Sequence, residues 1–165
     1  MGFRRNVDWM FANCRSARKI CQQAAAACCH FTPAGELQVL LITSRDTGRW
    51  ILPKGNIHRS EPAHRAARRE ATEEAGIRGK VLKKPIGFYS YNKDGEREFM
   101  VSVHLLRVKG EYDLYPEIGQ RKRSWVRPLD AARLVNEPEL SEILILLSQL
   151  EKLALQNADI ADFSL

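Results

Sequence analysis

No stretch of this chain approaches the roughly 20 consecutive apolar residues that a membrane-spanning helix needs. Arg4 and Arg5 make the start basic, but no apolar h-region follows them. Neither membrane crossing nor export is expected. The opening Met1-Gly2 carries Asn6 where a myristoylation signal wants serine or threonine. The four cysteines, Cys14, Cys21, Cys28 and Cys29, contain no C-x-x-C pair, so they read as reduced thiols of a cytoplasmic protein rather than as a zinc or redox site. Histidine is scarce, and His30, His58, His64 and His104 have no mutual ligand spacing. Internal repeats and low-complexity tracts are lacking as well.

What is present suits one core. The 165 residues are 44% hydrophobic, enough for a single domain that buries most of its unfolded surface. A net charge of +6 favours anionic partners without naming one. The first 18 residues mix Arg, Lys, Asn and Asp with Trp9 and Phe11 without steady periodicity, and we treat 1–18 as an extension, 19–157 as the domain and 158–165 as a tail. Two strands, Ala24 to Phe31 and Leu37 to Thr43, flank the turn Thr32-Pro33-Ala34-Gly35. Val39 to Ile42 is apolar on both strand faces, as in a sheet covered on both sides.

A helix is expected between Glu61 and Ala75, with Ser60 as its cap, Pro62 in its first turn and Gly76 just past its end. Ala63, Ala67, Ala71 and Ala75 recur every fourth residue and form a small-residue stripe for close approach to a sheet. Val81 to Tyr91 and Glu98 to Val108 read as long antiparallel strands around Asn92-Lys93-Asp94-Gly95. Arg123 to Val126 reads as a further strand. After Pro138, Leu140, Ile143, Leu144, Leu147 and Leu150 follow helical spacing.

The chemistry concentrates between Gly55 and Ile77. Glu70, Glu73 and Glu74 stand at i, i+3 and i+4, so their carboxylates share one helix face within a turn. A divalent cation relieves their mutual repulsion, and hard oxygen ligands with room for water and phosphate suit Mg²⁺ or Mn²⁺. Such an ion would neutralise a pyrophosphate, orient its phosphorus and acidify a bound water. Glu70 is then the candidate proton acceptor, with Glu96, Glu98 and Glu117 as candidates on later segments. Arg69 can fix a neighbouring carboxylate by a bidentate contact. Gly55 lets the preceding loop pass close to the metal, and Lys54 is a candidate phosphate contact.

An isolated E-x-x-E-E is ordinarily a solvated helix face balanced by arginines such as Arg65, Arg68 and Arg69. Here it stands inside G-x5-E-x7-R-E-U-x-E-E-x-G-U, with Gly55, Glu61, Arg69, Glu70, Glu73, Glu74 and Gly76 in the fixed places and Ala71 and Ile77 in the aliphatic ones. A chance match of this kind arises in roughly one chain in a million. The segment is the Nudix box, and the chain resembles the Nudix hydrolase family from about Lys19 to Leu150.

That resemblance implies an α/β fold, an α/β/α sandwich with a mixed β-sheet between helices, and a phosphoanhydride hydrolase. Family substrates include nucleoside triphosphates, dinucleoside polyphosphates, nucleotide sugars, capped RNA ends and diphosphoinositol polyphosphates. The flanking pieces Leu40 to Arg45, Gly48 to Gly55 and Ile118 to Trp125 are similar to the branch acting on diphosphoinositol and diadenosine polyphosphates. The diphosphoinositol enzymes carry a further glycine-rich position after the proline, where this chain has Lys54 and Asn56.

On this reading Arg45, Arg49, Lys54, Gly55, Arg121 and Arg123 contact substrate, and Lys122 faces the other side of its strand. His58 is the one histidine expected near substrate, while Trp50 and Trp125 read as packing residues. The partner is a small-molecule polyphosphate, and nucleic acid enters only as the 5′ end of an RNA substrate. An RNA-end pyrophosphohydrolase and a noncatalytic nucleotide-binding sensor are the alternatives.

Overall fold

Four consecutive alanines, Ala24 to Ala27, favour a helix by intrinsic propensity, yet they form the centre of a strand, β1 (Lys19–Phe31). The reason is tertiary. All four are fully buried, and they alternate between two apolar clusters on opposite faces of the sheet. The computed structural model describes residues 19–156, with side chains described from 20 to 149. The expected extension 1–18, with Cys14, Trp9 and Phe11, and the expected tail 158–165 lie outside the described residues.

Along the chain follow β2 (Leu37–Thr43), β3 (Trp50–Ile51), β4 (Lys54–Asn56), α1 (Ala63–Ala75), β5 (Ile77–Val81), β6 (Gly87–Lys93), β7 (Arg97–Glu111), β8 (Arg123–Val126), α2 (Pro128–Leu134) and α3 (Pro138–Gln156). The strands form one sheet in the order β3-β2-β1-β7-β5, with β4 paired to β1, β6 to β7 and β8 to β2. β1 and β7 run parallel, and the other pairings are antiparallel. The sheet is therefore mixed.

One face buries Ala24, Ala26, Cys28, Leu40 and Ile42 against Ala66, Ala67, Ala71 and Ala75 of α1. Alanine on alanine brings the helix close to the sheet. The other face buries Ala25, Ala27, Cys29, Val39 and Leu41 against Ala131 and Ala132 of α2 and Leu140, Ile143, Leu144 and Leu147 of α3. The result is the expected α/β/α sandwich. Leu150 falls outside the described side chains.

Three expectations are corrected. Ser60 does not cap α1: it lies in the left-handed region at φ 61°, and Pro62 holds the cap position without a side-chain hydrogen bond. At the other end Gly76 behaves as expected, with φ 68° and its amide turned back to Ala71 and Thr72 carbonyls. The single strand expected over Val81 to Tyr91 is two. Pro85 has no N–H for the ladder, so the chain breaks between β5 and β6, which pair with successive stretches of the long β7. The hairpin turn falls at Asp94 and Gly95, both at positive φ, between the paired Lys93 and Arg97. Helix α2 and the short β3 and β4 were not anticipated.

Candidate active site

Strand β4, the loop between it and α1, and the C-terminal half of α1 build the acidic centre, with Arg69 as its hub. Its Nε and Nη2 donate to the two Glu61 oxygens at 3.0 Å each, a bidentate pair. Nη2 also donates to the Asn56 carbonyl at 2.9 Å, and Nη1 donates to Glu70 Oε1 at 2.5 Å and Glu73 Oε2 at 3.3 Å. The guanidinium beside Glu61 holds that carboxyl down to about 2. His58 serves the same residue through its backbone amide, 3.0 Å from Glu61 Oε2, while its ring stays exposed.

The three glutamates of the repeat occupy different environments. Burial raises Glu70, against the lowering effect of Arg69. A Cβ on residue 55 would overlap the Glu70 carboxyl, so the glycine is what allows β4 and α1 to meet there. Glu73 stands at the rim, its side chain 41% exposed. Glu74 is buried: Oε2 accepts from the Lys54 amide at 2.9 Å and Oε1 from Arg121 Nη2 at 2.5 Å. Burial, reinforced by Glu70 and Glu117, raises it to about 7 despite those two donors.

The expected phosphate-reading wall of Arg45, Lys54, Arg121 and Arg123 does not assemble as a unit. Arg121 is sealed in, with Nε to Glu117 at 2.7 Å and Nη1 to the Thr43 carbonyl at 3.1 Å. Arg123 Nη2 pairs with Glu111 at 2.6 Å. Arg45 is exposed, 3.5 Å from Glu117. Lys54 presents its amide to Glu74 but sends Nζ to the other sheet face, donating to the Tyr91 hydroxyl at 2.8 Å and Gln23 Oε1 at 3.2 Å. Strand alternation enforces this split, because Gly55 next to it faces Glu70. Burial lowers the Lys54 ammonium to about 8. Arg49 joins this second group, with Nη1 2.6 Å from Glu137 Oε1.

Sequence reading missed Gln23, Tyr91 and Glu137, which stand among other polar residues and carry no local signal that sets them apart. Among the later carboxylates, Glu117 is the one felt electrostatically by both Glu70 and Glu74. Glu96 stands in the β6–β7 turn and Glu98 at the start of β7. Trp125 packs as expected, stacked on His30 with ring centroids 4.2 Å apart, and Trp50 packs on the core facing α3.

The donor set suits a hard divalent cation: three carboxylates crowd one helix face, and burial or like charge raises two of them, a cost that a cation removes. Among the described residues the three carboxylates do not form a ready-made metal-ligating cluster; Glu70 is engaged by Arg69 and Glu74 by Arg121.

The family model described as NUDIX domain matches residues 22–147. The chain belongs to the Nudix family. It is 33% identical over 116 residues to Nudix hydrolase 16, mitochondrial, of Arabidopsis thaliana, a match covering 66% of this chain and 64% of that protein. A second plant relative, Nudix hydrolase 21, chloroplastic, is 34% identical, with 67% of this chain and 56% of the relative covered. The chain thus spans less than two thirds of the length of these two. Human diphosphoinositol polyphosphate phosphohydrolase 3-alpha is 35% identical over 112 residues, 67% of each chain. In structure, this Nudix chain is similar to a Caenorhabditis elegans Ap4A hydrolase binary complex at TM-score 0.64 and 22% identity, covering 79% of this chain and 96% of that one. The MutT protein of Methanosarcina mazei gives 0.61 at 20% identity, covering 82% and 98%. These two likenesses concern the fold. Nudix hydrolases are phosphoanhydride hydrolases that generally need divalent metal ions.

Proposed function

We propose that residues 19–157 form a Mg²⁺- or Mn²⁺-dependent pyrophosphohydrolase that cleaves a phosphoanhydride bond in a small-molecule polyphosphate, such as a diadenosine polyphosphate or a diphosphoinositol polyphosphate. The observation that carries this reading is that α1 presents Glu70, Glu73 and Glu74 together, with Arg69 on Glu70 and Glu73, Gly55 against Glu70 and the Lys54 amide on Glu74. A relative named for diphosphoinositol polyphosphates supports the substrate class. Free thiols at Cys21, Cys28 and Cys29 agree with a reducing compartment such as the cytoplasm.

Glu70, Glu73 and Glu74 would hold the cation, which when bound neutralises phosphate charge and activates water. The chain's own groups do the rest. Arg69 orients Glu61, Glu70 and Glu73, and Arg121 fixes Glu74. Glu70, raised by burial, is the proton acceptor for the attacking water, with Glu117 close enough to modulate its charge. Arg45 at the exposed rim is left to meet phosphate, while Arg49 and Lys54 Nζ are engaged on the other sheet face.

A metal-supplemented screen of diadenosine polyphosphates, diphosphoinositol polyphosphates, nucleotide sugars and RNA 5′ ends, with product analysis, tests the reading. Metal-dependent release of phosphate or a nucleotide is expected. Binding without product from every substrate would leave a sensor in its place.

A further inference from the structure

The last turn of α1 leaves backbone carbonyls without partners inside the helix, and the segment between β7 and β8 supplies donors to them. The Glu117 amide donates to the Glu73 carbonyl at 3.0 Å, and just past the helix the Tyr112 amide donates to the Gly76 carbonyl at 2.7 Å. Between these two bonds the Tyr115 ring lies over Gly76. A Cβ on residue 76 would overlap ring atoms Cδ1 and Cε1. Gly76 thus answers two demands, a φ of 68° and the room that this ring occupies.

The ring is what anchors the segment. Leu114 is 82% exposed, Ile118 48% and Tyr112 46%, whereas Tyr115 is partly buried. Arg123, paired with Glu111, also hydrogen-bonds the Tyr115 side chain. From Tyr115 the chain runs through two tight turns, Ile118 amide to Tyr115 carbonyl at 3.2 Å and Gln120 amide to Glu117 carbonyl at 3.0 Å. They deliver Arg121, whose guanidinium donates to Glu117 and to Glu74. The Glu74 carboxylate is therefore oriented by Arg121, and Arg121 by a loop whose apolar hold on α1 is one ring.

We propose that Tyr115 is a positioning residue for the metal centre: its ring, seated on Gly76, latches residues 112–122 to the end of α1 and thereby holds Arg121 on Glu74 and Glu117 beside it. This rests on the hydrolase reading and deepens it, since the last fixed glycine of the box becomes the seat of a residue outside the box.

Mn²⁺ titration followed by electron paramagnetic resonance, without substrate, tests the centre apart from turnover. Tyr115→Ala should weaken Mn²⁺ binding by about tenfold and lower kcat on diadenosine tetraphosphate to a similar degree. KM should change by less than about twofold, because the residue acts through Arg121. Tyr115→Phe keeps the ring and should recover Mn²⁺ affinity to within about threefold of wild type. Should the alanine variant fail to fold, Tyr115→Leu takes its place and should bind Mn²⁺ more weakly than Tyr115→Phe. Wild-type Mn²⁺ affinity with only a lowered melting temperature would make Tyr115 a packing residue, and a raised KM at unchanged kcat would make it a substrate contact. Either result overturns the proposal. Amide hydrogen exchange reads the latch without metal: the Tyr112 and Glu117 amides should exchange about tenfold faster in Tyr115→Ala, and unchanged exchange is equally fatal. If the wild type binds no Mn²⁺, the hydrolase reading fails while the exchange rates still decide the latch.

Discussion

Arg121 Nη2 donates to Glu74 Oε1 at 2.5 Å, with the two side chains only 6% and 8% exposed. This ion pair joins the segment before β8 to the last turn of α1. Removing one partner of a buried pair strands the other charge. Arg121→Gln should therefore lower stability by about 3 kcal/mol and reduce catalytic efficiency to a similar degree on diadenosine tetraphosphate, a diphosphoinositol polyphosphate and a nucleotide sugar. A loss concentrated on the substrate with most phosphates would return Arg121 to a direct phosphate contact.

The rim position of Glu73 separates chemistry from stability. Glu73→Gln should reduce turnover by at least about a hundredfold and leave the melting temperature unchanged, since this side chain is 41% exposed. Glu74→Gln should lose as much activity and also melt earlier, because its carboxylate holds Arg121 and the Lys54 amide. Wild-type turnover in either purified variant removes the metal role assigned to that residue.

Gly55→Ala places a methyl group where the Glu70 carboxyl lies. One side must give way, and the flexible Glu70 is the softer of the two. Turnover should fall by about ten- to a hundredfold, with circular dichroism unchanged. Full activity would show that Glu70 can be displaced without consequence.

Excess chelator should abolish turnover, and Mg²⁺ or Mn²⁺ added back should restore it. Activity that persists in chelator is incompatible with the mechanism.

The Glu61–Arg69 fork has a definite pH signature. The folded carboxyl is held at about 2, below its unfolded value, chiefly by the Arg69 hydrogen bonds. Its contribution is therefore fully present above the unfolded pKa and is lost as pH falls through the folded one. Glu61→Gln should cost about 1 to 2 kcal/mol at neutral pH, and urea melts of variant and wild type should converge as pH falls from about 4 toward 2. A pH-independent difference would mean that the glutamate acts through packing.

Much of the acidic centre was legible because it lies on a single helix. The spacing of Glu70, Glu73 and Glu74 places their carboxylates together whatever surrounds them, and Gly76 stops the helix by its own backbone conformation. The two-faced apolar run Val39 to Ile42 likewise announced a sheet covered on both sides. The break at Pro85 is also local, since proline brings no N–H to a ladder, whereas Ser60 does not cap α1 because the helix begins only at Ala63, behind Pro62.

The sequence by itself determined the family, the helix that carries the glutamates and the glycine beneath them, because each follows from residues within a few positions of one another. The tertiary structure alone decided what the cations do. Arg121 meets Glu74 across 47 positions of chain and Arg49 meets Glu137 across 88, while Lys54 and Gly55, adjacent in sequence, serve opposite faces of the sheet. A long flexible cation finds its partner only when the sheet register brings a carboxylate within reach, and local sequence does not encode that distance.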